Sequence, residues 1–168
     1  MPGPTPIKDE GEPGLANVVV ELYDCNDQFL RSVTTDGNGA FALTNVLKGQ
    51  YKLKFDFSNL GNGYAFTLPN VGNDALNSDA NADGFTNCFT LNAGERTDDI
   101  DAGLVQLSSI GKFVWDDLNG DGLQSTSEPG ISGVQVKIFL PDGTLVDSTI
   151  TSSNGQYEFN GLYPGNYY

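Results

Sequence analysis

From Asn17 onward apolar and polar positions alternate: Val18, Val20 and Leu22 fall on one side, Val19, Glu21 and Tyr23 on the other. That is the period of a β-strand with one buried face and one partly wet face. Clusters of turn-forming residues then recur at short intervals, at Asp24 to Asp27, Asp36-Gly37-Asn38-Gly39, Lys48-Gly49 and Gly61-Asn62-Gly63. Between them the pattern predicts strands at roughly 29–35, 39–44, 50–57 and 63–67. No segment holds a helical period long enough to compete. Many short strands joined by Gly-rich turns predict an all-β sandwich or barrel.

The chain also repeats itself. Glu12-Pro13-Gly14-Leu15 returns as Glu128-Pro129-Gly130-Ile131, Val18 and Val20 as Val134 and Val136, and Asn38-Gly39 as Asn154-Gly155. Phe41 returns as Tyr157, and Gly49 and Tyr51 as Gly165 and Tyr167, every pair offset by 116 residues. This predicts tandem modules, a first spanning 1–106 without its N-terminal strand and calcium loop, and the N-terminal half of a second spanning 107–168. Residues 105–109, VQLSS, leave no flexible linker between them, so a limited range of inter-module angles is expected. The second module is expected to be incomplete. Either the chain is a piece of something longer, or the incomplete module accepts a strand from a neighbouring chain, giving head-to-tail self-association by strand complementation.

Composition narrows the function. With 22 acidic against 8 basic residues the net charge is −14, which repels nucleic acid and anionic membrane and suits divalent cations. There is no histidine, which removes Ser-His and Cys-His nucleophiles, histidine bases and histidine-ligated metals. No apolar run approaches the ~18 residues that span a bilayer, so membrane insertion is not expected. The opening MPGPTP is not a signal peptide.

The strongest chemical signal is the stretch from Asp117 to Glu128, DLNGDGLQSTSE. Asp117, Asn119, Asp121, Gly122 and Glu128 hold the spacing of an EF-hand calcium loop, with no insertion. Side-chain oxygens on alternate residues converge as the chain curls. Gly122 takes the sharp turn, the Leu123 carbonyl points inward, Ser125 serves directly or through water, and Glu128 closes the shell. The alternative is an acidic turn that binds nothing. Strand-like IGKFVWD before the loop and Pro129-Gly130 after it exclude a helix–loop–helix, so the loop reads as a Ca2+ clamp between strands. Outside a helical frame, three charged ligands place Kd in the weak extracellular range of ~10⁻⁴ to 10⁻³ M.

A second acidic cluster, NVGNDALNSDANADG at 70–84, carries Asp79, Asn81, Asp83 and Gly84 at the same half-spacing, but Thr90 stands twelfth. It is either a second calcium site, completed by Asp74 or by the Asp98-Asp99-Asp101 group, or a solvated loop. Cys25 and Cys88 lie at the predicted end of one strand and start of another. They permit one disulfide, and two buried free thiols are the alternative. Pro141 stands where Cys25 maps in the second module, so that bond is not essential to the fold.

The run IGKFVWDDLNGDGLQSTSEPGISGVQVKIFLPDGTLVDSTITSSNGQYEFNGLYPGNY resembles the start of a B-repeat of the serine-aspartate-repeat surface adhesins, the SdrD B-like domain, which is related to the collagen-adhesin B-type fold. The first module supplies the rest of the likeness in YDCNDQFLRSVTTDGNGAFALTNVLKGQYKLKF, GNDALNSDANADG and FTLNAGERTDDIDAGL. W-D-x-x-N-x-D-G-x-Q is its specific part. The resemblance implies a Greek-key β-sandwich of immunoglobulin-like or prealbumin-like type, stiffened by calcium and repeated as a stalk along bacterial surface or secreted proteins. By likeness the ligands fall on Asp117, Asn119, Asp121 and Glu128, with Asp79, Asn81 and Asp83 as a second group. The first module lacks the first loop, and neither a sorting signal nor a serine-aspartate tract is present. Some related modules carry a Lys–Asn isopeptide bond. Lys112 is the candidate lysine, but YKLKFDF offers no buried Glu beside it, and no cross-link is expected.

Three functions compete. The first is a calcium-clamped structural module of an extracellular or bacterial cell-surface protein, a rigid stalk or fibre subunit whose partners are neighbouring modules. The second is adhesin-type binding of a glycan or host protein by loops at one end of the sandwich, for which Tyr64, Phe66, Trp115, Tyr163 and Tyr167 are the aromatics in question. The third is a carboxylate-pair enzyme built on Asp116-Asp117 or Asp98-Asp99. Adjacent acids rarely face one cleft at the separation glycoside hydrolysis needs, so the chain reads as no enzyme.

Overall fold

The computed structural model describes residues 11–61, 63–69 and 77–168. The chain divides into two compact units, the first ending at Gln106 and the second running from Leu107 to Tyr168. Both are β-structure, and among the described residues the only helical element is a short 3-10 turn at Ser58–Leu60.

In the first unit, β1 (Val19–Asp24), β2 (Phe29–Thr34), β3 (Gly49–Asp56) and β5 (Phe89–Leu91) form a four-stranded sheet in the order β2-β1-β3-β5. β4 (Tyr64–Phe66) and β6 (Leu104–Gln106) form a separate antiparallel ribbon. After the β1–β2 hairpin the chain crosses to the other side of β1 and pairs β3 there, the Greek-key departure from a simple meander. The two-residue period of β1 buries Val18, Val20 and Leu22, and β3 contributes Leu53 and Phe55. Phe66 and Leu104 of the ribbon pack on that cluster, so the core lies between two β layers.

The predicted strand at 39–44 is a correction: those residues are not a strand. Phe41 and Leu43 still pack on the core, and the Arg31 guanidinium donates to the Thr44 carbonyl. Among the described residues no segment pairs with this stretch. The second unit supplies the reason. There the stretch related by 116 residues is β10 (Gln156–Leu162), a strand because β7 (Ser108–Phe113) hydrogen-bonds to it. Side-chain pattern placed Phe41 and Leu43 on the core; only a partner makes such a stretch a strand. β8 (Gln135–Phe139) and β9 (Leu145–Ile150) form the second unit's other antiparallel pair. Its core is Ile138, Phe159 and Leu162, flanked by Val136, Tyr157 and Tyr167.

Hydrogen bonds recur at the same offset. The Thr35 hydroxyl donates to the Leu15 carbonyl (2.6 Å) and accepts from the Val18 amide (3.0 Å). Thr151 does the same with Ile131 (2.7 Å) and Val134 (2.9 Å). The Tyr51 hydroxyl donates to the Leu47 carbonyl (2.9 Å), as Tyr167 does to Tyr163 (2.6 Å). Gly14 and Gly130 sit where another backbone crosses: an added Cβ would lie 1.8 Å from the Asn38 carbonyl oxygen in one case and 2.0 Å from that of Asn154 in the other. The Glu-Pro-Gly signature is therefore partly a packing requirement, since only glycine admits that crossing.

Aspartates close the hairpins. Asp24 accepts the amides of Asn26 (2.8 Å) and Gln28 (2.9 Å), and Asp142 that of Thr144 (2.9 Å). These amide hydrogen bonds, led by Gln28 for Asp24 and Thr144 for Asp142, hold both carboxyls below their ordinary range. Beside Asp24, Cys25 is bonded to Cys88, Cα atoms 6.0 Å apart across a sequence separation of 63.

Two outcomes follow. Thr35→Val strands a buried amide and carbonyl and should cost about 1–3 kcal/mol in denaturant unfolding, whereas Thr35→Ser should recover most of it. Reducing the disulfide should destabilise the first unit by about 4 kcal/mol in the chain-entropy account, read as a shift of its unfolding midpoint.

Candidate metal centre

The Asp117–Glu128 loop is closed at its base by a short antiparallel ladder. Trp115 bridges Gly130, the Asp116 amide donates to the Pro129 carbonyl (2.9 Å) and the Ile131 amide to the Val114 carbonyl (2.9 Å). The chain must therefore leave and return within one strand spacing, and the intervening residues curl.

Asp117 organises the curl. Its Oδ1 accepts the amides of Gly120 (2.8 Å) and Asp121 (3.2 Å), and its Oδ2 accepts that of Gly122 (2.8 Å). Asn119 Oδ1 accepts the Asp121 amide (3.0 Å), its Nδ2 donates to Asp121 Oδ2 (3.0 Å), and Asp121 Oδ1 accepts the Leu123 amide (2.7 Å). Gly122 has φ +72°, the left-handed turn expected of the sixth position. At the far end Glu128 Oε2 accepts the Ser125 amide (2.8 Å), and the hydroxyls of Ser125 and Ser127 lie 2.9 Å apart.

Glu128 differs from the other acids of the loop. It is only 7% exposed, and its Oε1 is buried without a hydrogen-bond partner. A buried, unpartnered carboxylate oxygen is costly, and a cation beside it removes that cost. All the donors here are hard oxygens, the chemistry calcium requires. Asp117, Asn119, Asp121, Ser125, Glu128 and the Leu123 carbonyl would hold the ion. Among the described residues no three acidic side chains are drawn together as a ready cluster, because Asp117 and Asp121 are turned onto the loop's own amides.

The second group is arranged differently. Asn81 Oδ1 caps a turn, accepting the amides of Asp83 (3.0 Å) and Phe85 (3.0 Å), and Asp83 is exposed. Asp79 meets Asp101: its amide donates to the Asp101 carbonyl (2.8 Å), and its Oδ2 accepts the Asp101 amide (2.8 Å). Of the acids considered for completing this group, Asp101 is brought to it, Asp98 is paired with Arg96 (2.6 Å), and Asp74 lies outside the described residues. Thr90, the twelfth position, is taken into β5 opposite Gln50. The sequence reading missed Asn77, 4% exposed with a buried unpartnered Oδ1 close to this group in the chain. A lone asparagine among Gly, Asn and Asp carries no signal of burial.

Among the described residues, the five aromatics in question form no exposed row within either unit. Tyr64, Phe66, Trp115 and Tyr167 are half-buried, Phe66 stacks edge-on against Phe57, and Tyr163 is exposed. Lys112 is exposed and pairs across to Tyr157. Among the described residues no helix is long and apolar enough to cross a membrane.

The family model for the SdrD B-like domain matches residues 5–104 and 108–168. Serine-aspartate repeat-containing protein F of Staphylococcus epidermidis is 37% identical over 166 residues, covering 96% of this chain and 10% of that protein. Serine-aspartate repeat-containing protein D of Staphylococcus aureus strain MW2 is 34% identical over 163 residues, covering 96% and 12%. This chain thus spans about a tenth of the curated relatives it matches. Among solved structures, the TIE protein of Bacillus anthracis is similar at 18% identity and TM-score 0.41, covering 94% of this chain and 25% of that one.

Asp117→Ala should leave the Gly120 and Gly122 amides without an acceptor, while the Asp121 amide keeps Asn119 Oδ1. Measured in chelator, amide exchange at Gly120 and Gly122 should speed up by about tenfold while the melting temperature of the second unit moves little, since the ladder at the base remains.

Proposed function

The chain belongs to the SdrD B-like domain family, and from that premise we propose that it is a calcium-stabilised structural piece of a bacterial extracellular or cell-surface protein, working as a rigid stalk or fibre-forming spacer and not as an enzyme. The observation that carries the calcium part is Glu128, a buried acid with one oxygen unpartnered at the end of a loop with EF-hand spacing. Calcium would be held by Asp117, Asn119, Asp121, Leu123, Ser125 and Glu128, and Asp79, Asn81 and Asp83 form the weaker second candidate.

Stabilisation would come from linkage. Bound calcium would give the buried Glu128 oxygen its missing partner, and it would bind the folded loop better than the unfolded chain. Its partners are neighbouring modules of the same longer protein, a reading supported by the small share of each relative that this chain covers. Strand complementation between copies is the accompanying route to self-association. Binding of a glycan or host protein through loop aromatics has less behind it, since Tyr64, Phe66, Trp115 and Tyr167 are half-buried.

The test is unfolding in calcium and in chelator, with sedimentation of both samples. At a calcium concentration about a hundredfold above Kd the stabilisation should be about 2.7 kcal/mol, and Glu128→Gln should remove most of it. A melting curve indifferent to calcium would overturn the clamp. A strict monomer in both samples would overturn self-association.

A further inference from the structure

The loop of the candidate metal centre contains two steps at which the chain can close a ring on itself, Asn119-Gly120 and Asp121-Gly122. In such a step the backbone nitrogen of the glycine attacks the side-chain carbonyl carbon of the residue before it. Glycine permits this because no Cβ stands in the way. Both glycines have φ +72°, both are exposed, and a Cβ added at either would meet nothing within 4 Å. Asn119 is exposed as well.

One residue holds both nitrogens. Asp117 accepts the Gly120 amide through Oδ1 (2.8 Å) and the Gly122 amide through Oδ2 (2.8 Å). Attack requires the nitrogen to lose its proton. A hydrogen-bonded amide is closed to base, and a carboxylate beside it disfavours the anion that would form. The target is held too, since Asn119 Oδ1 accepts the Asp121 amide (3.0 Å) and Nδ2 donates to Asp121 Oδ2 (3.0 Å). At Asn38-Gly39 and Asn154-Gly155 the restraint is of another kind. Gly39 donates to the Asp36 carbonyl (3.0 Å) and Gly155 to that of Ser152 (2.9 Å). An added Cβ would lie 2.8 Å from Gly14 Cα in the first case and 2.3 Å from the Val114 carbonyl oxygen in the second. Those two steps are fixed by backbone packing, whereas Asn119-Gly120 is fixed by the loop's own side chains.

We infer that Asn119 is a self-modification site, a deamidation step that Asp117 holds shut. When the loop opens, hydroxide takes the Gly120 amide proton, the nitrogen bonds to Asn119 Cγ, and the Cγ–Nδ2 bond breaks, the leaving group departing as ammonia with a proton from water. Water then opens the ring at one of its two carbonyls. Attack at Cγ leaves aspartate at position 119; attack at the backbone carbonyl leaves isoaspartate. The sum is one water consumed and one ammonia released. Aspartate adds a charged oxygen ligand at the third place of the loop. Isoaspartate inserts a backbone carbon and spoils the alternation that brings the ligands together. A loop that spends time open is thus altered irreversibly, and an ion that favours the closed loop protects it. The protective effect of the ion rests on the calcium reading; the guard by Asp117 does not.

The experiment incubates the full chain at neutral pH in chelator, and in calcium about a hundredfold above Kd, and then digests it with trypsin. The fragment 113–137, bounded by Lys112 and Lys137, has Asn119 as its one asparagine. A gain of about 1 Da there, as NH2 becomes OH, reads the step, and fragmentation places it at Asn119. In chelator, Asp117→Ala should speed the gain by about tenfold. Asp117→Asn, which keeps an acceptor oxygen, should recover most of the protection, and Asn38 and Asn154 should be unchanged in both variants. Calcium should slow the wild-type chain by up to about a hundredfold. Equal rates at Asn119 in Asp117→Ala and wild type, or an equal rise at Asn38 and Asn154, would overturn the guard. If Asp117→Ala speeds the step and calcium does not slow it, the site stands and the calcium reading falls.

Discussion

The constraint on which this structure depends is that a strand must have a partner for its backbone groups. Each amide and carbonyl of an extended segment needs water or another strand, and the apolar face needs a lid. The two units show this at related positions. Residues 40–46 carry Phe41, Leu43 and Val46 onto the core without becoming a strand, while Tyr157, Phe159 and Leu162 do so within one, because β7 lies beside them. Val20 is fully buried where β3 covers β1.

What the sequence makes legible follows from the same distinction. Alternation identified the core face of β1, and turn residues bounded β1 to β4 to within a residue or two, because both signals are local. The stretch at 39–44 has the same local signals, but among the described residues nothing pairs with it, and alternation alone does not tell whether a partner is present. The 116-residue offset was visible in side chains, and the Thr35 and Thr151 hydroxyls show that it extends to buried hydrogen bonds that no pattern of hydrophobicity encodes. At the candidate metal centre the spacing of Asp117, Asn119, Asp121 and Glu128 was readable as a motif. Burial of Glu128 was not, because it depends on the ladder formed by Trp115 with Gly130 and Asp116 with Pro129.

An excess of acid over base has to be accommodated somewhere, and here much of it builds turns. Asp24, Asp36, Asp56, Asp117, Asp121 and Asp142 each accept at least one backbone amide close by in sequence. Such acids need no cation to be satisfied. They fix the hairpins and loops whose φ and ψ would otherwise be free, which is how a chain with 22 acidic and 8 basic residues holds sharp turns without an ion pair at each.

That double use sets the form that the proposed calcium dependence would take. Asp117 and Asp121 already have protein donors, so an ion binding there competes with amides and gains only the difference. Glu128 Oε1 has no donor to lose. The favourable part of ion binding would therefore concentrate on Glu128, next to the ladder, and the effect would pass into the module through Pro129 and Gly130, where the backbone crosses Asn154. A clamp of this kind would stiffen the base of the loop and the strands it joins more than it would shape the loop itself, and stiffness at the base is what the proposed spacer role requires.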